Sequence, residues 1–225
     1  MTDVIFHSLA ESAYLWTAMH VADEKGVSHE LAPIEVGSAE HLALHPFGKM
    51  PAMSHGEVRL YETAAIAHYL DRAFEGPPLQ PPDAAGQAQV IRWISIVNAY
   101  VFPVMNRFMK ERLVRPAWGI EPDADFVTSA REPLRLQMRL IEEAVGAGGF
   151  LVGDRLSLAD SFLFPHLLFF TRTPEGAAMI ERAPAAKAWL ATLAARPSYA
   201  GGPMSAMFEA FAHLPAPREM AWPID

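Results

Sequence analysis

Glu62 and Thr63, a carboxylate beside a hydroxyl, stand at the mouth of a helix that carries Ile66, Tyr69 and Leu70 on one face. A helix N-terminus with a hydroxyl can take an anion, and the neighbouring carboxylate can take a cation. Just upstream, His45-Pro46-Phe47-Gly48 is turn chemistry, and Met50-Pro51 then opens an apolar strand start at Ala52-Met53. A proline entering a strand from a turn is a candidate cis peptide. That geometry would turn the Met50 N–H and C=O outward, where an extended peptide can pair with them as an added strand. Lys49 is the nearest cation. A second set of groups, Ser8, Ser12 and Tyr14, lies where the first strand gives way to the first helix. A serine at that place is also the commonest kind of N-cap.

His41 and His45 are four residues apart and could put two ligands on one helical face. No glutamate follows the first histidine, no third ligand lies nearby, and Pro46 ends the helix, so metal binding is not expected. The absence of cysteine excludes a disulfide, a thiolate metal site and a catalytic thiol. A formal net charge of −8 argues against nucleic acid and against an anionic membrane surface. With 51% hydrophobic and 20% charged residues the chain reads as ordinary globular protein. The N-terminus lacks a basic region ahead of an apolar core and no apolar run reaches spanning length, so a cytoplasmic protein without membrane contact is expected.

Elements must hold these groups in place. Val4-Ile5-Phe6 reads as a strand, followed by a helix with Leu15, Met19 and Ala22 on one face and Gly26 as its stop. His29 to Val36 reads as a second strand, with Pro33 suiting an edge or a bulge. A helical turn at 39–44, a hairpin turning at His55-Gly56, and the Glu62 helix complete an α/β unit of thioredoxin-like type. "EGPPLQPPD" at 75–83 is the linker. Beyond it the periodicity is helical throughout. Val90, Ile94, Val97, Val101, Val104 and Phe108 form one stripe with a kink expected at Pro103. Val127, Ala130, Leu134, Met138, Ile141 and Val145 form a second, ended by the glycines at 146–149. "SLADSFLFPHLLFF" (157–170) is apolar almost all round and should be buried, opened by a Ser157–Asp160 capping box with Leu156 as staple. Pro184 to Ala195 is a shorter helix, and the tail from Pro197 is punctuated by Pro and Gly. The expected division is 1–76, a linker at 77–83, and an all-helical domain over 84–225.

The loop proline, the hairpin and the acid–hydroxyl pair, in that order, resemble the glutathione-binding half of the soluble glutathione S-transferases. The α/β unit followed by a helical bundle, and "VGDRLSLAD" at 152–160, extend the resemblance over the whole chain. It is to members with a serine at the active site, where the serine precedes the lysine of an "E-K-G" like Glu24-Lys25-Gly26 by thirteen residues, as Ser12 does here. The chain departs from the pattern at Ala10 and Trp16, where a proline and an arginine are common. Tyrosine-type relatives carry their phenol at the strand end, where His7 stands.

The resemblance implies a glutathione transferase, with glutathione as co-substrate, no metal, and a homodimer. It implies that Ser12 stabilises the glutathione thiolate, with Ser8 and Tyr14 as rivals. A free thiol has a pKa of about 8.5, and ionising it near neutrality takes about 2.7 kcal/mol of differential stabilisation. A hydroxyl donating to the charged sulfur supplies about 1.5–3 kcal/mol and a helix N-terminus about 0.3–2 kcal/mol, enough without a general base. It further implies that Met50 and Pro51 face the cysteinyl residue, that Glu62 and Thr63 hold the γ-glutamyl ammonium and carboxylate, and that Lys49, or less readily His41, meets the glycyl carboxylate. An apolar electrophile would be held by the helical domain, with Tyr100, Val104 and Phe108 as candidates. The alternatives are a glutathione-dependent dehalogenase or isomerase on the same site, and a non-catalytic binding module in which Ser12 is idle.

Overall fold

Alternating burial of Val4, Phe6 and Ser8 puts strand β1 (Val4–Ser8) at the centre of a sheet. The computed structural model describes residues 4–200. The chain divides into two compact units, the first ending at Pro82 and the second beginning at Asp83.

In the first unit α1 (Ala13–Glu24) follows β1, then β2 (His29–Pro33), α2 (Ala39–Leu44), the hairpin β3 (Ala52–His55) and β4 (Val58–Tyr61), and α3 (Thr63–Ala73). The sheet order is β2-β1-β3-β4; β2 runs parallel to β1, and the other neighbours are antiparallel. Strand β2 is an edge and stops at Pro33, short of the expected Val36. Proline has no N–H for the ladder, and the chain turns at once through Gly37 (φ 86°). The hairpin pairs His55 with Val58, so its turn is Gly56-Glu57, one residue later than expected, with Gly56 in the left-handed region. Leu15, Trp16, Ile66 and Leu70 are wholly buried where α1 packs on α3. Lys25, buried at the end of α1, donates to the carbonyls of Gly76 and Pro77 and lies 3.5 Å from the Asp71 carboxylate, tying α1 to the chain that leaves α3.

The second unit opens with a continuous helix, α4 (Ala84–Ala117). By length and composition alone it could cross a bilayer, which corrects the expectation that no apolar run reaches that length. As far as Phe108 its buried residues nevertheless form one stripe, and Arg92, Ser95 and Asn98 lie on the exposed side, the pattern of a helix packed on a protein core. That stripe is Val90, Trp93, Val97, Val101, Met105 and Phe108; Trp93 and Met105 stand where Ile94 and Val104 were expected. The expected kink at Pro103 is a π turn over Val97–Val101, closed by the Phe102 N–H reaching back to the Val97 carbonyl. A second π turn, Lys110–Val114, precedes Pro116. Widening the turn absorbs the bond each proline cannot make.

The second apolar stripe spans two helices, α5 (Ala124–Ser129) and α6 (Arg131–Gly148), and all six of its residues are buried. Every residue of α7 (Leu158–Phe170) is buried. Its capping box forms, and the Asp160 carboxylate also accepts from Leu151 N–H and Trp189 Nε1–H. Helix α8 (Pro174–Glu181) fills a stretch in which no element was expected; Thr173 caps it and Pro174 occupies the first position. Gly176 there lies so close to the Phe170 carbonyl that a Cβ could not fit. Helix α9 (Pro184–Ala194) ends the described helices. The Pro/Gly-punctuated tail lies, from residue 201 on, outside the described residues.

Candidate active site

The loop between β1 and α1 is pinned from both sides. Ser12 N–H donates to the Leu9 carbonyl at 3.2 Å, and the wholly buried Trp16 donates Nε1–H to the Ala10 carbonyl at 2.7 Å. The two positions that depart from the family pattern, Ala10 and Trp16, are thus bonded to each other. Ser12 is the N-cap of α1, and its hydroxyl oxygen accepts from Leu15 N–H at 3.3 Å. Its side chain is half-buried. Ser8 differs: it is fully buried, and its hydroxyl donates to the Leu9 carbonyl at 3.0 Å. Burial, and secondarily the Glu62 carboxylate, push the Tyr14 phenol well above its ordinary pKa, so it stays protonated. His7 at the strand end is hydrogen-bonded to Ser54, and burial and the Arg59 charge hold its pKa down.

The Glu62–Thr63 corner has a distinctive backbone. Glu62 is exposed, is the N-cap residue of α3 and sits at φ 69°, the single positive-φ residue other than glycine among those described. Its side chain makes no cap bond, so the carboxylate is left for another partner. Thr63 is buried at the first position of the helix, where main-chain N–H groups lack intrahelical acceptors. The Met50–Pro51 bond is cis, immediately before β3. Lys49 is exposed.

His41 is 2% exposed and both ring nitrogens are engaged: Gly37 N–H donates to Nδ1 at 3.0 Å, and Nε2 meets the Lys49 carbonyl at 2.9 Å. It is therefore closed to a ligand carboxylate, which corrects its candidacy. His45, one turn on, is buried against the Tyr61 ring with centroids 4.8 Å apart, and its Nδ1 has no hydrogen-bond partner. Burial lowers its pKa while the Glu62 charge pulls the other way, and His41 and Lys49 push it down further. Glu62 is felt by both Tyr14 and His45, so the β1–α1 loop, the α2 end and the α3 start converge around one carboxylate. In the sequence His45 stood out as turn chemistry and as the second histidine of an i, i+4 pair, not as a neighbour of Glu62.

In the helical unit Phe108 is wholly buried and packs edge-on against Phe170 at 5.9 Å, so it is core and not a substrate wall. Val104 is half-buried. Tyr100 is 65% exposed and borders an apolar groove of about 410 Å³ with Trp93, Ile96, Leu136 and Leu140.

Comparison with known proteins bears on this arrangement. Residues 6–78 match the family "Glutathione S-transferase, N-terminal domain" and residues 93–197 match "Glutathione S-transferase, C-terminal domain". Glutathione S-transferase 3 of Zea mays is 32% identical over 188 residues, covering 80% of this chain and 83% of its own. Probable glutathione S-transferase GSTF2 of Oryza sativa subsp. japonica is 30% identical over 184 residues, 79% of this chain and 85% of its own. The structure of glutathione S-transferase-I bound with the ligand lactoylglutathione superposes with a TM-score of 0.81 at 27% identity, over 93% of this chain and 99% of that one. The chain belongs to the glutathione S-transferase family. It is a glutathione transferase, an enzyme that uses glutathione as co-substrate.

Proposed function

We propose that this glutathione transferase activates its co-substrate through Ser12 and conjugates it to an apolar electrophile. The condition of the three hydroxyls carries this reading. The Ser8 proton is already given to a carbonyl in a closed interior, and the Tyr14 phenol lies under the influence of the Glu62 charge. Ser12 uses its oxygen to cap α1 and keeps its proton to donate. A thiolate beside it would meet that hydroxyl at a helix N-terminus, and both favour the charged sulfur. Met50 would pair with the cysteinyl main chain beside Pro51, Glu62 and Thr63 would take the γ-glutamyl ammonium and carboxylate, and Lys49 the glycyl carboxylate. Residues 1–76 serve as the glutathione-binding domain and 84–225 as the substrate domain, with Val104 as the remaining candidate for the electrophile.

The enzyme acts as a cytoplasmic homodimer. Apolar side chains at the surface of α4 and α6, among them Tyr100 (65% exposed), Leu136 (47%) and Leu140 (37%), are the kind of surface a second copy covers. Tyr100 is accordingly assigned to subunit contact and not to substrate. The test of the chemical reading is Ser12→Ala, which should cut turnover about ten- to a thousandfold while leaving glutathione affinity nearly intact. Full activity in that variant, with loss in Ser8→Ala or Tyr14→Phe, moves the role to a rival.

A further inference from the structure

Helix α2 (Ala39–Leu44) is attached in an unusual way: its single buried residue is a histidine, while Leu42 is 45% exposed. That histidine, His41, bridges two main-chain segments. The Gly37 N–H can only donate, so His41 Nδ1 carries no proton; the Lys49 carbonyl can only accept, so Nε2 carries it. The imidazole is a neutral rod with an acceptor at one end and a donor at the other. One end grips the turn ahead of α2, where Gly37 adopts φ 86°, and the other grips the residue directly before Met50. The helix start is fixed as well, since Ser38 Oγ accepts from His41 N–H at 3.1 Å. The Lys49 carbonyl belongs to the same peptide unit as the Met50 N–H, so whatever orients one orients the other.

We propose that His41 is a positioning residue of the glutathione site, bracing the Lys49–Met50 peptide against the Gly37 turn and so setting glutathione affinity without touching glutathione. The proposal rests on the reading that Met50 pairs with glutathione. The brace acts before and during binding alike, so it belongs to KM and not to kcat. Glutamine is the informative replacement, because its terminal amide N–H reaches the place of Nε2 and can still donate to the Lys49 carbonyl, the bond that braces the peptide. Leucine cannot make that bond. Asparagine keeps the acceptor beside Gly37 but is too short for Lys49.

Steady-state rates of the full chain with glutathione and 1-chloro-2,4-dinitrobenzene would be compared for wild type, H41Q, H41L and H41N, with T63V alongside. The expected result is a KM for glutathione raised about tenfold in H41L and H41N, equivalent to about 1.4 kcal/mol. H41Q should stay within about twofold of wild type, and kcat and the KM for the electrophile should change by less than about twofold throughout. Wild-type KM for glutathione in H41N or H41L overturns the brace, as does equal impairment of H41Q and H41L. H41N is polar and small enough to fold should H41L not. The two readings fail differently. If T63V weakens glutathione and H41N does not, the brace alone is wrong; if T63V binds glutathione like wild type, the underlying site is wrong and the brace falls with it.

Discussion

Ser12 accepts one hydrogen bond from inside its helix and has one left to give, and the residues proposed to hold glutathione share that divided loyalty. Thr63 is buried at a helix start where an anion can replace missing acceptors, and Glu62 holds a left-handed backbone without capping anything. Replacing Thr63 by Val, or Glu62 by Ala, should weaken glutathione binding by about 1.5–3 kcal/mol, each by loss of a charge-assisted bond to the γ-glutamyl end. Turnover at saturating glutathione should fall much less. Calorimetry showing unchanged affinity in both variants would reduce the pair to a helix start. These two residues were legible in the sequence because an acid and a hydroxyl at a helix mouth are a local pattern. The choice of Ser12 over Ser8 and Tyr14 rested on the resemblance and on no local pattern, since what each hydroxyl can donate depends on its burial and partners in the fold. His41 was legible as a candidate ligand and not as a brace; its two main-chain partners lie four and eight positions away, and no spacing rule announces them.

At the scale of the element, α7 shows how much a buried helix depends on its first turn. Asp160 takes hydrogen bonds from Ser157 N–H, Ser157 Oγ–H, Leu151 N–H and Trp189 Nε1–H. Burial pushes its carboxyl pKa up while those four donors pull against it. Asp160→Ala would strand two donors outside the helix as well as the cap. The cost should be about 3 kcal/mol, or a melting temperature lower by roughly 6–12 °C, with near-normal glutathione affinity in what folds. A variant that melts like wild type yet has lost glutathione would put Asp160 in the site. The capping box was readable from Ser-Leu-Ala-Asp; the reach to Trp189 was not, being a contact between helices.

The same helix buries His166, packed edge-on against Phe102, and burial lowers its pKa to about 3. Folded, it stays neutral; unfolded, it takes a proton near its ordinary value of 6.5. Its contribution to stability is therefore complete above about pH 6.5 and is lost as pH falls from there toward 3, at about 1.4 kcal/mol per pH unit. Denaturant melts of wild type and His166→Phe between pH 7 and 4.5 should give a shallower fall in the variant. Parallel curves would mean that His166 takes a proton as readily in the fold as in the unfolded chain. The α4 stripe illustrates the limit of periodicity: Phe108 keeps its place in the core and Trp93 is buried in place of Ile94, while after the π turn at Val97–Val101 the register is shifted and Met105 is buried in place of Val104.

For the whole molecule, the α/β unit and the helical unit were both readable from the change in period at the proline-rich stretch 75–83, whereas α8, only eight residues long, was too short to show a period. Composition also constrains the chemistry. With no cysteine in the chain, no protein–glutathione mixed disulfide can form. Thiol-transferase and dehydroascorbate reductase activities that run through such an intermediate should stay at background. Robust reduction of a glutathione mixed-disulfide substrate by the pure protein would contradict this.

Ser12 is proposed to stabilise the thiolate of bound glutathione, and the ultraviolet absorbance of that thiolate reads this directly. Titrated against pH in the saturated wild-type enzyme, the bound thiol should ionise roughly two pH units below the ordinary thiol value of about 8.5. In Ser12→Ala the midpoint should rise by about one to two pH units while glutathione remains bound, because the lost hydroxyl supplied about 1.5–3 kcal/mol to the charged form alone. A midpoint that stays low in Ser12→Ala, with glutathione still bound, would contradict the account.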